Sequence, residues 1–421
     1  MFTTFQEVEA FFDSRKSLGI KPGLDRIHKL LHLIDNPQRK IQAVHVAGTN
    51  GKGSTVQYIK NALQANGYKV GVFTSPSLTG LTGHLYLGDK EISKEAFLIL
   101  CNEIYPAVKQ MDEQNVAPTE FEIITAIGFL FFSRSGDIAL IETGMGGRED
   151  TTNCFQPLLS IITNVAKDHT GFLGNTIAEI AYQKAGIIKS GAPVILGEVE
   201  MDALSIIDKE AASRKTAIYR YGIDFSYRKD EKGKMIWKSN QNRAETVLHM
   251  YGAHQMQNAS IAFMALEKLS DAGYTLSSDI VEEAIGNTTF AGRFEIVNKE
   301  PVIILDGAHN PAGIDAFIKT ADEIYPDEER HIMFAAFKDK DLDKMLEQIG
   351  NRFMTITLTS FDHPRAAQAA ELERLHTAEN RKVTIDWKDA VDEMLQTKSG
   401  IYFITGSLNF ISLVRAYILT K

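Results

Sequence analysis

The chain has 421 residues, of which 44% are hydrophobic and 24% charged, and its formal net charge is −9. That length exceeds the usual reach of one hydrophobic core, so two domains are expected, and the acidic balance speaks against a nucleic-acid-binding surface. No apolar run is long enough to cross a bilayer, Met1 to Ala10 lack the basic start and apolar core of a secretory signal, and Cys101 and Cys154 share no ligand-like spacing, so a cytosolic chain with two reduced, structural thiols is expected.

In chain order, Ile41 to Ala47 reads as a buried strand, Gly48 to Ser54 as a turn, and Val56, Ile59 and Leu63 fall at helical spacing behind it. Lys69 to Phe73, Ile138 to Ile141, Leu159 to Val165 and Val194 to Leu196 repeat the pattern of a short β-branched run followed by a polar turn and a helix. Such alternation predicts a parallel, doubly wound sheet. Residues 218–248 differ: Tyr219-Arg220-Tyr221 and Met235-Ile236-Trp237 flank the charged turn Lys229 to Lys234, which predicts a small antiparallel meander. A helix is read over His254 to Ala272. A second α/β series follows from Pro301, with strands at Val302 to Leu305, Ile332 to Ala336, Thr355 to Leu358 and Ile401 to Thr405. The expected division is 1–295 and 296–421.

Ligands of open α/β sheets bind beyond the carboxyl ends of the strands, and five strand ends here carry polar clusters. The first is Gly48-Thr49-Asn50-Gly51-Lys52-Gly53-Ser54. Its glycines let several N–H groups face one anion, the following helix adds its positive end, Lys52 offers a point charge to phosphates and Ser54 a hydroxyl. Only Thr49 and Asn50 separate Gly48 from Gly51, and Gly53 intrudes between Lys52 and Ser54, so this is a variant of the common phosphate-binding pattern. The second cluster, Thr74-Ser75-Pro76, offers hydroxyls to a metal or phosphate. The third, Glu142-Thr143-Gly144-Met145-Gly146-Gly147-Arg148, begins with a carboxylate at the end of an apolar strand, costly unless paired or metal-bound; Mg²⁺ favours a few such hard oxygens. Asp168-His169 is the fourth and Asp306-Gly307-Ala308-His309-Asn310-Pro311 the fifth, with Arg293 just ahead of it, placed to meet developing phosphate charge. Lys184 closes an apolar helical pattern and, read alone, is an exposed helix lysine.

Together these clusters resemble the Mur ligase superfamily and, within it, the folylpolyglutamate synthases. The resemblance also takes in Thr119-Glu120-Phe121-Glu122, Lys184-Ala185-Gly186-Ile187-Ile188-Lys189, His254-Gln255 with Asn258, and Thr405-Gly406-Ser407-Leu408. It implies a P-loop-type ATPase domain with the small meander, a Rossmann-like glutamate-ligase domain, and a monomer that acts on a folate or dihydropteroate with L-glutamate and ATP, without nucleic acid or membrane. By the same resemblance Thr49, Asn50, Gly51, Lys52, Gly53, Ser54, Asn258, Arg293, Asp306 and His309 contact the nucleotide. Ser75, Glu142 and His169 hold Mg²⁺, and Lys184 as a CO₂ carbamate supports a second ion. Lys52, Lys184 and His309 are the catalytic set, and Arg26, Thr119, Phe121, Glu122, Asp150 and Thr151 are folate-side residues. Ser77, Gly83-His84-Leu85 and Glu149 depart from the family pattern, in loops that the family uses near the pterin. Dihydrofolate synthesis and a non-folate Mur-type amide ligation are the neighbouring activities. A cell-wall ligase would need an N-terminal sugar-nucleotide domain, for which the 47 residues before Gly48 are too few, and a non-catalytic nucleotide-binding protein would not need Lys52, Glu142, His169, Lys184 and Asp306 together.

Overall fold

The computed structural model describes residues 1–77, 79–350, 352–375, 380–397 and 399–421. It divides into two compact units, one of Met1–Ala166, Leu173–Leu248 and Gln257–Thr288, the other of Lys167–Phe172, His249–Met256 and Thr289–Lys421.

The first unit is built on eight strands: β1 (Ala43–Ala47), β2 (Val70–Phe73), β3 (Leu85–Leu87), β4 (Lys90–Glu91), β5 (Ile138–Glu142), β6 (Leu159–Ile162), β7 (Val194–Leu196) and β8 (Ile218–Arg220). Their order is β4-β3-β2-β5-β1-β6-β7-β8, parallel from β2 to β8, with β3 and β4 added antiparallel at one edge. Every residue of β1, β2, β5, β6 and β7 is buried, which is why these strands are mainly apolar rather than alternating, with His45 and Ser160 as buried polar members. β8 corrects one expectation. Tyr219 and Arg220 belong to the parallel sheet beside β7 rather than to the meander, because the helix Met201–Arg214 supplies the crossover that a parallel strand requires. Its residues are all half-buried, as on an edge.

The meander itself is β9 (Phe225–Lys229), β10 (Met235–Ser239) and β11 (Arg243–Thr246), antiparallel throughout. Trp237 of β10 stacks on Phe263 of the helix Ala253–Asp271, with ring centroids 5.3 Å apart. Apolar clusters hold this unit, among them one that joins Phe12, Phe73, Phe97 and Phe129 and another that joins Ala47, Ile162, Ile180, Ile187 and Ile207. Each fully buried Phe or Ile among them contributes roughly 1.5–3 kcal/mol.

The second unit carries β12 (Glu295–Lys299), β13 (Val302–Leu305), β14 (Arg330–Phe334), β15 (Thr355–Leu358), β16 (Arg381–Val383) and β17 (Ile401–Thr405). Their order is β12-β13-β17-β14-β15-β16, parallel except for the β12–β13 hairpin. β14 starts two residues earlier than its apolar run, because His331 and Arg330 already pair with β17. The helix Pro311–Ile324 follows β13; Asn310 caps it by accepting the Gly313 N–H at 2.8 Å, and proline fills the first turn, where no N–H is needed. Among the described residues no helix is long and apolar enough to cross a membrane.

Candidate functional site

The loop after β1 is shaped before any anion arrives. Gly51 has φ +82° and caps the helix Lys52–Ala65, and a Cβ there would lie 2.3 Å from Asn258 Oδ1, so only glycine fits. The backbone N–H groups of Thr49 and Asn50 donate to Asn164 Oδ1 at 3.2 and 2.9 Å. Thr49 Oγ1 donates to the Ala166 carbonyl at 3.0 Å, and Thr163 Oγ1 to the Asn50 carbonyl at 2.6 Å. The segment after β6 thus staples the loop. Lys52 Nζ folds back onto the carbonyls of Gly48 and Thr49 at 3.1 and 3.3 Å, a cation held over a helix start with Gly53 half-buried and Ser54 buried beneath it. Asn164 and Thr163 escaped the sequence reading, although two polar residues directly after an apolar strand are the signal that marked the other clusters.

Glu142 closes β5 and is 5% exposed. Its Oε2 accepts the Thr74 hydroxyl at 2.8 Å, and its Oε1 stands 4.0 Å from Lys52 Nζ. The hydroxyl that reaches Glu142 from the turn after β2 is therefore Thr74's; Ser75 is its half-buried neighbour. Among the described residues no three His, Cys, Asp or Glu side chains gather closely enough to hold a metal alone. A single buried carboxylate with hydroxyls beside a phosphate loop fits Mg²⁺, which keeps waters and takes phosphate oxygens as its other ligands.

Lys184 is 2% exposed, contrary to its reading as a surface lysine. The reason is a close approach of backbones. Arg148 N donates to the Gln183 carbonyl at 2.7 Å, and a Cβ on Gly186 would lie 2.3 Å from Arg148 Cα. The loop after β5 is thereby pressed onto the last turn of the helix Ile177–Ala185, which carries Lys184. Arg148 itself turns to Glu210, with Nη2 2.6 Å from Oε2, and lies over the Tyr182 ring.

In the second unit, Asp306 directly follows β13 with both oxygens engaged: Oδ2 accepts Phe294 N and Oδ1 accepts Ala308 N, each at 2.9 Å. Burial raises its pKa, and the Arg293 charge opposes that shift. Asp306 thus fixes the turn that presents Arg293, where Phe294 adopts φ +48°. His309 Nδ1 lies 2.7 Å from the Gly307 carbonyl, and burial holds its pKa down to about 4, with Lys340 adding to the effect. Asp168 sits beside it with its side chain 8% exposed: Oδ1 is 2.6 Å from Lys340 Nζ and Oδ2 3.7 Å from His309 Nε2. His169, half-buried, has φ +50°.

The residues expected on the folate side lie in the first unit and fall into separate hydrogen-bonded groups. Thr119 and Glu122 cap the helix Glu120–Ser135 reciprocally, and Glu122 Oε1 is 3.1 Å from Arg26 Nε. Asp150 accepts from Met145 N at 2.7 Å and from the Thr152 hydroxyl at 2.6 Å; burial raises its pKa. Thr151 and Thr125 hydroxyls meet at 2.8 Å. Phe121 is half-buried, with its ring beside Phe73 and His84 at centroid distances of 5.8 and 6.2 Å and its far edge against Gly144.

Residues 46–266 match the model of the Mur ligase middle domain, and residues 292–408 that of the Mur ligase glutamate ligase domain, which together define a Mur ligase. The dihydrofolate synthase/folylpolyglutamate synthase of Bacillus subtilis is 36% identical over 99% of both chains. The crystal structure of folylpolyglutamate synthase from Thermotoga maritima superimposes with a TM-score of 0.85 at 31% identity, over 99% of this chain and 97% of that one. That of Mycobacterium tuberculosis folylpolyglutamate synthase, complexed with ADP and AMPPCP, gives 0.89 at 27% identity over 98% of each. The chain belongs to the folylpolyglutamate synthase family.

Proposed function

We propose that this chain is a cytosolic, monomeric, ATP-dependent ligase that joins the amine of L-glutamate to the γ-carboxylate of a folate's glutamate. The γ-phosphoryl group of ATP passes to a carboxylate oxygen, giving an acyl phosphate and ADP. The glutamate amine then attacks the acyl carbon, the carbon–oxygen bond to phosphate breaks, and the amine gives up a proton as the amide forms. The observation that carries this reading is the pairing, in a chain of this family, of the stapled Gly48–Ser54 loop with Lys52 4.0 Å from a buried Glu142.

Thr49, Asn50, Gly51, Gly53 and Ser54 supply N–H and hydroxyl donors to the phosphates, and Lys52 leaves its loop carbonyls to meet the transferring phosphoryl group. Asn258 fixes the loop from below, while Arg293, held by Asp306, and His309 take the nucleotide in the second unit. Mg²⁺, held by Ser75, Glu142 and His169, would neutralise phosphate charge when bound. Lys184 is 2% exposed; as a carbamate it becomes a carboxylate that supports a second ion. Phe121 gives the pterin an apolar face, and Arg26, Thr119, Glu122, Asp150 and Thr151 shape the loops around it. The free thiols of Cys101 and Cys154 are buried, which suits a reducing compartment.

The double name of the Bacillus subtilis relative favours a second activity, ligation of glutamate to dihydropteroate. A panel of pterin carboxylates with ATP and glutamate, reading ADP and ligated product together, tests both. ADP release that requires both the acid and the amine supports the ligase. Release without an amine acceptor, or no product from any pterin, overturns the folate reading.

A further inference from the structure

We infer that Lys340 is a positioning residue of the ligation reaction, its buried ammonium holding the Asp168 carboxylate and, through it, the segment that presents His169 and the ring of His309. The inference rests on the ligase reading above and adds to it a residue that lies outside every motif of the sequence.

Lys338-Asp339-Lys340-Asp341 reads as a solvated run of alternating charge, and three of its members behave so. Lys338 is exposed, Asp339 accepts from Arg365 Nε and Nη2 at 3.0 and 2.8 Å, and Asp341 caps the helix Leu342–Ile349. Lys340 alone is drawn inward: its side chain is 6% exposed, its partner Asp168 8%, and Nζ and Oδ1 are 2.6 Å apart. The two residues are 172 positions apart in the chain.

The carboxylate they share is fully used. Oδ1 also accepts the His169 N–H at 2.8 Å, and Oδ2 accepts Asn310 Nδ2 at 3.2 Å while facing His309 Nε2 at 3.7 Å and His169 Nε2 at 3.9 Å. His169 sits at φ +50°, a conformation a β-substituted residue keeps only when its surroundings hold it there. Its backbone N–H and the Lys340 ammonium end on the same oxygen. Lys340 therefore fixes the acid that in turn fixes the strained residue and stands against the second histidine. Partners behind a ligating side chain change affinity for a bound metal by about 10–100-fold.

The test compares the full chain with Lys340→Met, Asp168→Asn and the double variant. Calorimetric affinity for Mg²⁺·AMPPCP, KM for ATP and for the folate, and the melting temperature are measured on each. Lys340→Met is expected to weaken AMPPCP binding by about tenfold or more and to raise KM for ATP, with KM for the folate unchanged. It also leaves a buried carboxylate without its cation, so the melting temperature falls. In the double variant that charge is gone, and the melting temperature recovers while nucleotide affinity stays low. Native affinity in Lys340→Met, or affinity that recovers with melting temperature in the double variant, overturns the inference. If wild type binds AMPPCP and the variants behave as expected but no pterin carboxylate is ligated, the folate reading falls and the role of Lys340 in holding the nucleotide side stands.

Discussion

Lys52 Nζ and Glu142 Oε1 face each other at 4.0 Å, the lysine from the turn after β1 and the acid from the end of β5, its parallel neighbour. Both side chains are nearly buried, at 16% and 7% exposure, and neither is satisfied by the other alone: the ammonium leans on loop carbonyls and the carboxylate on Thr74.

Lys52→Ala is expected to lower ADP formation by about 10²–10³-fold, the usual cost of removing one donor to a developing anion. Asn164 and Thr163 still staple the loop once the Lys52 contacts to the Gly48 and Thr49 carbonyls are gone, so the thermal melt should stay within a few degrees of wild type. Near-normal turnover in that variant would remove the phosphate role.

On the proposed carbamate role, Lys184→Ala should be inactive, and a small carboxylic acid added to the assay should restore part of the rate by standing in the space left behind. Full activity without any additive, or an intact-mass measurement showing unmodified Lys184 in the active nucleotide complex, speaks against that role.

Thr119→Ala removes half of a reciprocal helix cap, and a loss of about 1 kcal/mol in unfolding free energy is expected. Glu122→Ala should cost more, because it strips the buried partner of Arg26 as well. Chemical denaturation checks both. A change in KM for the folate with no change in stability would instead make these residues direct ligand contacts.

His45, in the middle of β1, is fully buried, and that burial holds its pKa down to about 3, with the Lys189 charge adding to the shift. Its folded pKa lies below its unfolded value, so the unfolded chain takes up the proton first and stability falls as the pH drops below about 6.5. Above that pH the group contributes no slope. Urea midpoints between pH 6.5 and 4.5 should therefore decline, by up to about 1.4 kcal/mol per pH unit for this one group, and His45→Asn should flatten the decline. An unchanged slope in that variant would show that His45 does not remain neutral in the folded chain.

The strands that carry the candidate site were legible because parallel strands buried on both faces leave mainly apolar runs, each ending in a polar residue. Val46 to Thr49, Ile141 to Glu142 and Leu305 to Asp306 are of this kind. β8 was not legible, since Tyr219 and Arg220 alternate as an edge strand does in either type of sheet. The burial of Lys184 could not be read from helical spacing, as it follows from glycine-permitted contact between Gly186 and Arg148. Asp168 was marked by its place after a strand, but its pairing with Lys340 was not legible: two residues 172 positions apart have no period, and the lysine hides among ordinary surface charges.

The assignment of Lys167–Phe172 to the second unit, although β6 before it and Leu173 after it belong to the first, bears on how the protein could be dissected. A cut between Thr288 and Thr289 would leave Asp168 and His169 on one fragment and Lys340, Asn310 and His309 on the other. Neither piece would inherit a complete set, so complementation of activity from separately expressed halves would have to rebuild a buried acid–base contact and not merely bring two finished domains together.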